Sequence, residues 1–158
     1  MSFGKQHVYT VQQALTKAMK YCAYQERCQS EVYKKLRDWG MSHNDSEEIL
    51  AELISDNFIN EERYTEAFVR GKLRSKGWGK LKISYKLKEK QISNYNIDHA
   101  LKNIEQEEYL SILEREAKTK LKLINSKPDR EKKALLMRFL QSKGFENNLI
   151  WDWINNNL

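Results

Sequence analysis

Residues 36–41 read LRDWGM, and the same pattern returns as LKEKQI at residues 87–92 and as LQSKGF at residues 140–145. The leucines that begin the copies are 51 and then 53 residues apart. Apolar residues lie at matching positions four before each leucine and nine after the last residue of each copy. These are Val32, Ile83 and Leu136, and Leu50, Leu101 and Ile154. The agreement across three copies predicts an internal repeat, in preference to a compact bundle with accidental similarity.

Each copy is predicted to hold two helices joined by a turn. Apolar residues recur at helical spacing, as in Leu110, Leu113 and Ala117, and no period-two alternation typical of strands is apparent. A further helix precedes each pair, at about residues 9–24, 60–75 and 106–125. We therefore predict an all-α fold of three tandem three-helix repeats, stacked in an elongated and curved arrangement. The predicted domains are residues 1–58, 59–105 and 106–158.

Turn residues mark several helix boundaries. Residues 44–46 (NDS) and Asn60 each precede two glutamates, which is typical of N-terminal caps followed by an acidic first turn. Gly40 and Gly144 lie where C-terminal caps are expected. Gln91 takes the glycine position in the middle copy, so we expect a non-glycine residue to adopt a strained turn conformation there.

The composition indicates a folded chain with no membrane span. Aromatic residues make up 11% of the 158 residues, which is more than disordered chains usually carry. No apolar run is long enough to cross a bilayer, and residues 1–7 contain no apolar leader segment, so we expect a cytoplasmic protein. Cys22 and Cys28, six apart in a predicted helical stretch, are expected to be free structural thiols. The three histidines form no metal-ligand spacing with them, and no metal or cofactor is expected.

Charge is distributed unevenly along the chain, whose net charge is +6. Residues 43–69 contain eight acids and one base, whereas residues 70–90 contain nine bases and one acid, Glu89. A solvated surface normally mixes the two signs. The basic stretch therefore favours an anion-binding surface, whose partner is either a phosphate backbone or an acidic protein groove. Trp78, between two glycines in this stretch, either stacks on a nucleobase or fills the core between helices.

Residues 57–69, with the sequence NFINEERYTEAFV, resemble the most characteristic segment of the RecX family. The shared features are an apolar pair, an acidic turn, an arginine followed by an aromatic residue, and Ala-Phe-Val. Arg74, Gly77 and the KLKI of residues 80–83 then resemble the basic turn of that family. The resemblance extends over residues 9–154 and includes the plan of three helical units. The acidic turn here carries glutamates where the family often has aspartates.

This resemblance implies a regulator without catalytic residues. RecX-like proteins lie in the helical groove of the RecA–single-stranded DNA filament, where they hinder ATP hydrolysis, strand exchange and co-protease action. The implied partners are the RecA filament and single-stranded DNA, with weaker binding to double-stranded DNA, and we expect a monomer. The candidate filament- and DNA-binding residues are Arg63, Arg70, Lys72, Arg74, Lys76, Trp78, Lys80, Lys82 and Lys86.

Three other classes of protein fit the sequence less well. A helical DNA-binding transcriptional regulator also has short helices around turns, yet no single recognition helix stands out with base-reading Arg, Asn or Gln residues at its N-terminus. A nuclease needs clustered carboxylates, and Glu47, Glu48 and Glu52 are better explained as surface acids. A helical scaffold for protein binding more often has a period of about 34–47 residues.

Overall fold

Nine α-helices and no β-strand are present in the computed structural model, which describes residues 9–158. The helices are α1 (Val11–Tyr24), α2 (Gln29–Asp38), α3 (His43–Ser55), α4 (Glu61–Lys76), α5 (Lys80–Glu89), α6 (Asn94–Lys102), α7 (Gln106–Leu123), α8 (Asp129–Ser142) and α9 (Asn147–Asn157). The predicted all-α class and the three three-helix repeats are confirmed. Residues 1–7, on which the expectation of no leader segment was based, lie outside the described part. Among the described helices, none has the length and apolar character needed to cross a membrane.

Side-chain caps fix where the helices begin. Asn60 was predicted as a cap, and its side-chain oxygen accepts a hydrogen bond from the Arg63 N–H at 2.9 Å. The predicted cap at residues 44–46 is wrong, because α3 already begins at His43 and Ser42 accepts from the Asp45 N–H at 3.1 Å. Residues 44–46 instead form the first turn, where Ser46 is fully buried.

In each repeat the middle helix ends at a residue in the left-handed backbone conformation, as predicted from the repeated turn sequence. Gly40 and Gly144 have φ values of 91° and 93°. The residue after each glycine donates its N–H to the leucine five positions earlier, which is the Schellman arrangement. Gln91 has φ of 64°, so the middle repeat makes the same turn with a non-glycine residue.

The chain divides into two compact units, and the first contains α1–α3, the start of α4 and residues 90–92. Its core is a single cluster that includes Ala14, Val32, Leu36 and Leu53, all fully buried. Beside this core, Glu31 accepts hydrogen bonds from the Tyr64 hydroxyl at 2.9 Å and from the Lys90 ammonium at 2.8 Å. These bonds fasten residues 90–92 to α2.

The two cysteines do not share one helical stretch, contrary to the sequence expectation. Helix α1 ends at Tyr24, and Cys28 is the N-terminal cap residue of α2. Both thiols are buried and free. Burial raises the pKa of Cys22 from 9.0 to about 11 and also raises that of Cys28. The neutral thiols are therefore part of the apolar packing, as expected for structural cysteines.

The second unit comprises residues 68–89 and 93–158. Its buried apolar residues include Val69 and Leu73 of α4 and Ile83 and Leu87 of α5. The ring of Tyr109 is fully buried there, 5.5 Å from that of Phe145. Hydrogen bonds from the Lys80 N–H to the Tyr109 hydroxyl and from the Gly79 N–H to the Lys143 carbonyl hold the start of α5 against α7 and the end of α8.

Candidate anion-binding surface

The turn at residues 77–79 connects the two helices of the basic stretch. Gly77, at φ of 64°, ends α4 and donates its N–H to the Leu73 carbonyl at 3.2 Å. Two cations of the third repeat reach the last carbonyls of α4. Arg115 donates to the Arg74 carbonyl at 3.1 Å and Lys143 to the Lys76 carbonyl at 2.5 Å. Positive charge at this end offsets the negative end of the helix dipole, so the turn is held in place.

Trp78 is the centre of a cluster that the structure brings together from both helices. Its partly buried ring has the Lys72 ammonium at 5.0 Å and the Lys82 ammonium at 4.7 Å from its centroid. The ring of Phe68 meets it edge-on at 6.4 Å. Ammonium groups are attracted to aromatic faces, so the indole positions both lysines. Trp78 therefore neither fills the core between the helices nor exposes a free ring face for stacking on a nucleobase.

The remaining lysines of α5 lie on either side of its buried residues, Ile83 and Leu87. The backbone N–H of Lys80 donates to the Tyr109 hydroxyl at 2.9 Å, and its ammonium lies 4.8 Å from that ring. Lys86 is 3.5 Å from Glu89, the single acid of the stretch. Lys82 and Lys86 are four residues apart and therefore share one flank of the helix.

The cations of α4 separate into two groups. Arg70 and Lys72 lie about 200° apart around the helix axis, since 3.6 residues make one turn. Arg74, on the side of Arg70, pairs with Glu108 at 2.7 Å, and that hydrogen bond lowers the pKa of the Glu108 carboxyl. Lys76, on the side of Lys72, is exposed. Within residues 9–158, neither Arg70 nor Lys76 forms an ion pair.

Arg63 belongs to the first unit, where its guanidinium is already engaged. It pairs with Glu26 at 2.5 Å and donates to the carbonyls of Asn57 and Phe58 at 3.2 and 3.4 Å. These contacts fasten the loop before α4 to the helix, which is a structural task. Arg63 and Arg74 are therefore both paired with acids, whereas Arg70 has no ion pair among the described residues.

Several residues of this region were missed by the sequence analysis. Leu81 and Tyr85 are large side chains on the exposed face of α5, with 58% and 62% of their surface accessible. Their spacing of four residues among lysines was the feature of the sequence that could have indicated an exposed apolar pair. The contacts of Arg115 and Lys143 with α4 could not be predicted from sequence, because they join one repeat to another.

Chemically, the region offers the ammonium groups of Lys72 and Lys82 around an aromatic ring, with the guanidinium of Arg70 exposed on the other side of α4. Such groups bind phosphate or carboxylate oxygens through charge-assisted hydrogen bonds. Fold and surface together define a class: an all-helical protein of tandem three-helix repeats with a cationic surface on its second repeat.

Three family models match in tandem, and they cover most of the chain. They describe the first, second and third three-helix domains of RecX, and they match residues 14–53, 60–101 and 106–154. The chain belongs to the RecX family.

Named relatives and solved structures agree with this assignment. The regulatory protein RecX of Streptococcus uberis is 32% identical over 145 residues, covering 89% of this chain and 54% of the relative. The regulatory protein RecX of Chlorobaculum tepidum is 29% identical, and the match covers 84% of this chain and 81% of the relative. A crystal structure of RecX from Lactobacillus salivarius has a TM-score of 0.81 at 26% identity and covers 94% of this chain and 96% of the other. The chain spans about half the length of several of the curated relatives it matches.

Proposed function

We propose that this protein is a non-enzymatic regulator that binds the RecA–single-stranded DNA filament and inhibits the ATPase, strand exchange and co-protease activities of RecA. Membership in a family of regulatory proteins supports the general role. The Lys72–Trp78–Lys82 cluster is the observation that carries the specific one, because it presents two ammonium groups held by one indole. The proposed setting is the cytoplasm, with the protein acting as a monomer and without a cofactor.

Electrostatics supplies the reason why such a surface suits a nucleoprotein filament. Each phosphate that a protein cation neutralises releases a condensed counterion, so binding is favourable and depends on salt. Arg70 and Lys76 add exposed cations on the two sides of α4. No covalent step is needed for regulation of this kind. Occupancy of the filament is sufficient to hinder the conformational cycle of RecA.

A charge-reversal variant tests this surface directly. Arg70→Glu, Lys72→Glu and Lys82→Glu together remove three cations that lack an ion pair within the described residues. Arg63 and Arg74 stay unchanged, because their pairs with Glu26 and Glu108 support the fold. We expect affinity for RecA filaments assembled on fluorescent single-stranded DNA, measured by anisotropy, to fall by about tenfold or more.

The matched control is Lys34→Glu, Lys122→Glu and Lys133→Glu. These lysines are exposed, lie in other helices and give the same change in net charge. We expect the control to bind filaments nearly as well as the wild type, with both variants keeping wild-type helicity. Equal losses in the two variants would mean that only total charge matters and would remove the proposed surface.

A further inference from the structure

Helix α5 carries an exposed apolar stripe on the side opposite its buried residues. Leu81 and Tyr85 are four residues apart, so they lie next to each other on the helix surface, and both are more than half exposed. Ile83 and Leu87 already fill the core side of the helix. The fold therefore gives Leu81 and Tyr85 no packing role.

Three lysines lie within four positions of Tyr85 along α5. Lys82 lies three positions before Tyr85 and Lys88 three positions after it, which places both on neighbouring positions of the helix surface. The Lys86 ammonium is 6.0 Å from the centroid of the ring. Glu89 is the acid of this neighbourhood, and it pairs with Lys86 at 3.5 Å. The surroundings of the phenol are thus predominantly cationic.

Trp78 is less suited than Tyr85 to receive a flat ligand. Two ammonium groups lie about 5 Å from the centroid of the indole, and Phe68 meets its edge. A stacked base would displace at least one ammonium from the face of the indole, which disfavours stacking there. The Tyr85 ring is 62% exposed and has one ammonium, at 6.0 Å. The open aromatic face on this helix therefore belongs to Tyr85.

Tyr95 shows that exposure alone does not make such a site. It is 75% exposed, and its ring is already stacked on His99, with centroids 6.0 Å apart and planes inclined by 8°. No lysine or arginine lies within four positions of it, whereas Asp98 lies three positions after it. Proteins that bind single-stranded nucleic acid combine aromatic rings available for stacking with nearby cations for the backbone.

We propose that Tyr85 is a stacking platform for an unpaired nucleobase, with Lys82 and Lys88 holding the phosphates on either side of it. This inference rests on the proposed function in that the basic surface meets DNA, and it names the ligand as single-stranded DNA. Duplex DNA keeps its bases stacked in the helix interior, so it offers phosphates to the lysines and no base to the ring.

The test measures binding of the full chain to a short fluorescein-labelled oligo(dT) by anisotropy, without RecA. Stacking on an aromatic side chain contributes about 1–3 kcal/mol per base, so we expect Tyr85→Ala to weaken binding by roughly 5- to 150-fold. Tyr85→Phe keeps the ring and is expected to bind within about twofold of the wild type. Tyr95→Ala is the matched control and is expected to leave binding unchanged. On a duplex of the same length, Tyr85→Ala is expected to behave like the wild type.

Salt dependence separates stacking from charge. Tyr85→Ala is expected to keep the wild-type slope of log affinity against log salt. Lys82→Glu with Lys88→Glu is expected to reduce the slope by about 0.7 for each lost phosphate contact. Wild-type affinity in Tyr85→Ala, an equal loss on duplex, or no oligo(dT) binding by the wild type would each overturn the platform. Unchanged RecA hydrolysis would instead remove the proposed function, while the oligo(dT) titration still decides the role of Tyr85.

Discussion

Gly79 lies directly against Gly144, which joins the turn before α5 to the turn between α8 and α9. The Gly79 N–H donates to the Lys143 carbonyl at 2.7 Å. A Cβ on Gly79 would lie 2.4 Å from the carbonyl carbon of Gly144, and a Cβ on Gly144 would lie 2.3 Å from the Cβ and 2.5 Å from the backbone nitrogen of Lys82. Only two glycines allow the backbones to approach so closely. Their contact fixes the second repeat to the third within this unit.

Gly79→Ala is therefore expected to destabilise the protein. Its methyl group meets rigid backbone, so we expect the free energy of unfolding to fall by about 3 kcal/mol, at the upper end of overpacking costs. Urea unfolding followed by circular dichroism measures this change. Gly71→Ala is the control, because a Cβ at this exposed helical position meets nothing within 4 Å. It is expected to add about 1 kcal/mol. Similar stabilities for the two variants would contradict the close approach.

Tyr109 supports the same junction through its hydroxyl group. The hydroxyl donates to the Glu146 carboxylate and accepts from the Lys80 N–H. Tyr109→Phe leaves both partners unsatisfied beside a buried ring, so we expect a loss of about 1–3 kcal/mol in urea unfolding. Tyr85→Phe removes a hydroxyl from an exposed ring and is expected to cost almost nothing. A Tyr109→Phe protein as stable as Tyr85→Phe would show that these hydrogen bonds do not hold the junction.

The repeat turns were predictable from sequence because their requirement is local. A left-handed residue at the end of a helix favours glycine, and the alignment of Gly40, Gln91 and Gly144 was enough to locate all three. The start of α3 was missed because Ser42 and residues 44–46 are all good capping candidates. Burial of Ser46 depends on the packing of the whole repeat, which the local sequence does not specify.

The basic stretch was also predictable, whereas the pairing of its members was not. Glu108 is 34 residues from Arg74, and Glu26 is 37 residues from Arg63. Such contacts depend on how helices pack, so they leave no mark in a run of charges. Tyr85 was missed for a different reason: whether an aromatic residue at helical spacing is buried or exposed follows from the side of the helix that packs.

Gln91 gives a direct test of backbone strain in the repeat turn. Its φ of 64° is unfavourable for a residue with a side chain. We expect Gln91→Gly to raise the free energy of unfolding by about 0.5–1 kcal/mol. Gly40→Ala is the reciprocal control, since Gly40 has φ of 91° and nothing within 4 Å of an added Cβ. It is expected to lower stability by about 1 kcal/mol. A destabilised Gln91→Gly protein would show that the glutamine side chain outweighs the strain.

The buried thiol of Cys22 predicts a loss of stability at alkaline pH. Burial raises its pKa from 9.0 to about 11, so the folded state favours the neutral thiol. This stabilisation is fully present below pH 9.0 and is lost as the pH rises to about 11. Between these pH values we expect the wild type to lose roughly 1–2 kcal/mol more than Cys22→Ala in urea unfolding. Both proteins contain the same buried tyrosines, whose ionisation also destabilises the fold. Their contribution to the loss of stability therefore cancels in the comparison. If the free energies of unfolding of the two proteins changed with pH in the same way, the raised pKa of Cys22 would be contradicted.

The most direct measurement of the regulatory role is the rate of ATP hydrolysis by the cognate RecA on single-stranded DNA as this protein is added. We expect hydrolysis to fall as the protein saturates the filament, and the Arg70→Glu, Lys72→Glu, Lys82→Glu variant to require about tenfold more protein for the same effect. Hydrolysis that stays unchanged at saturating wild-type protein would contradict the proposed function.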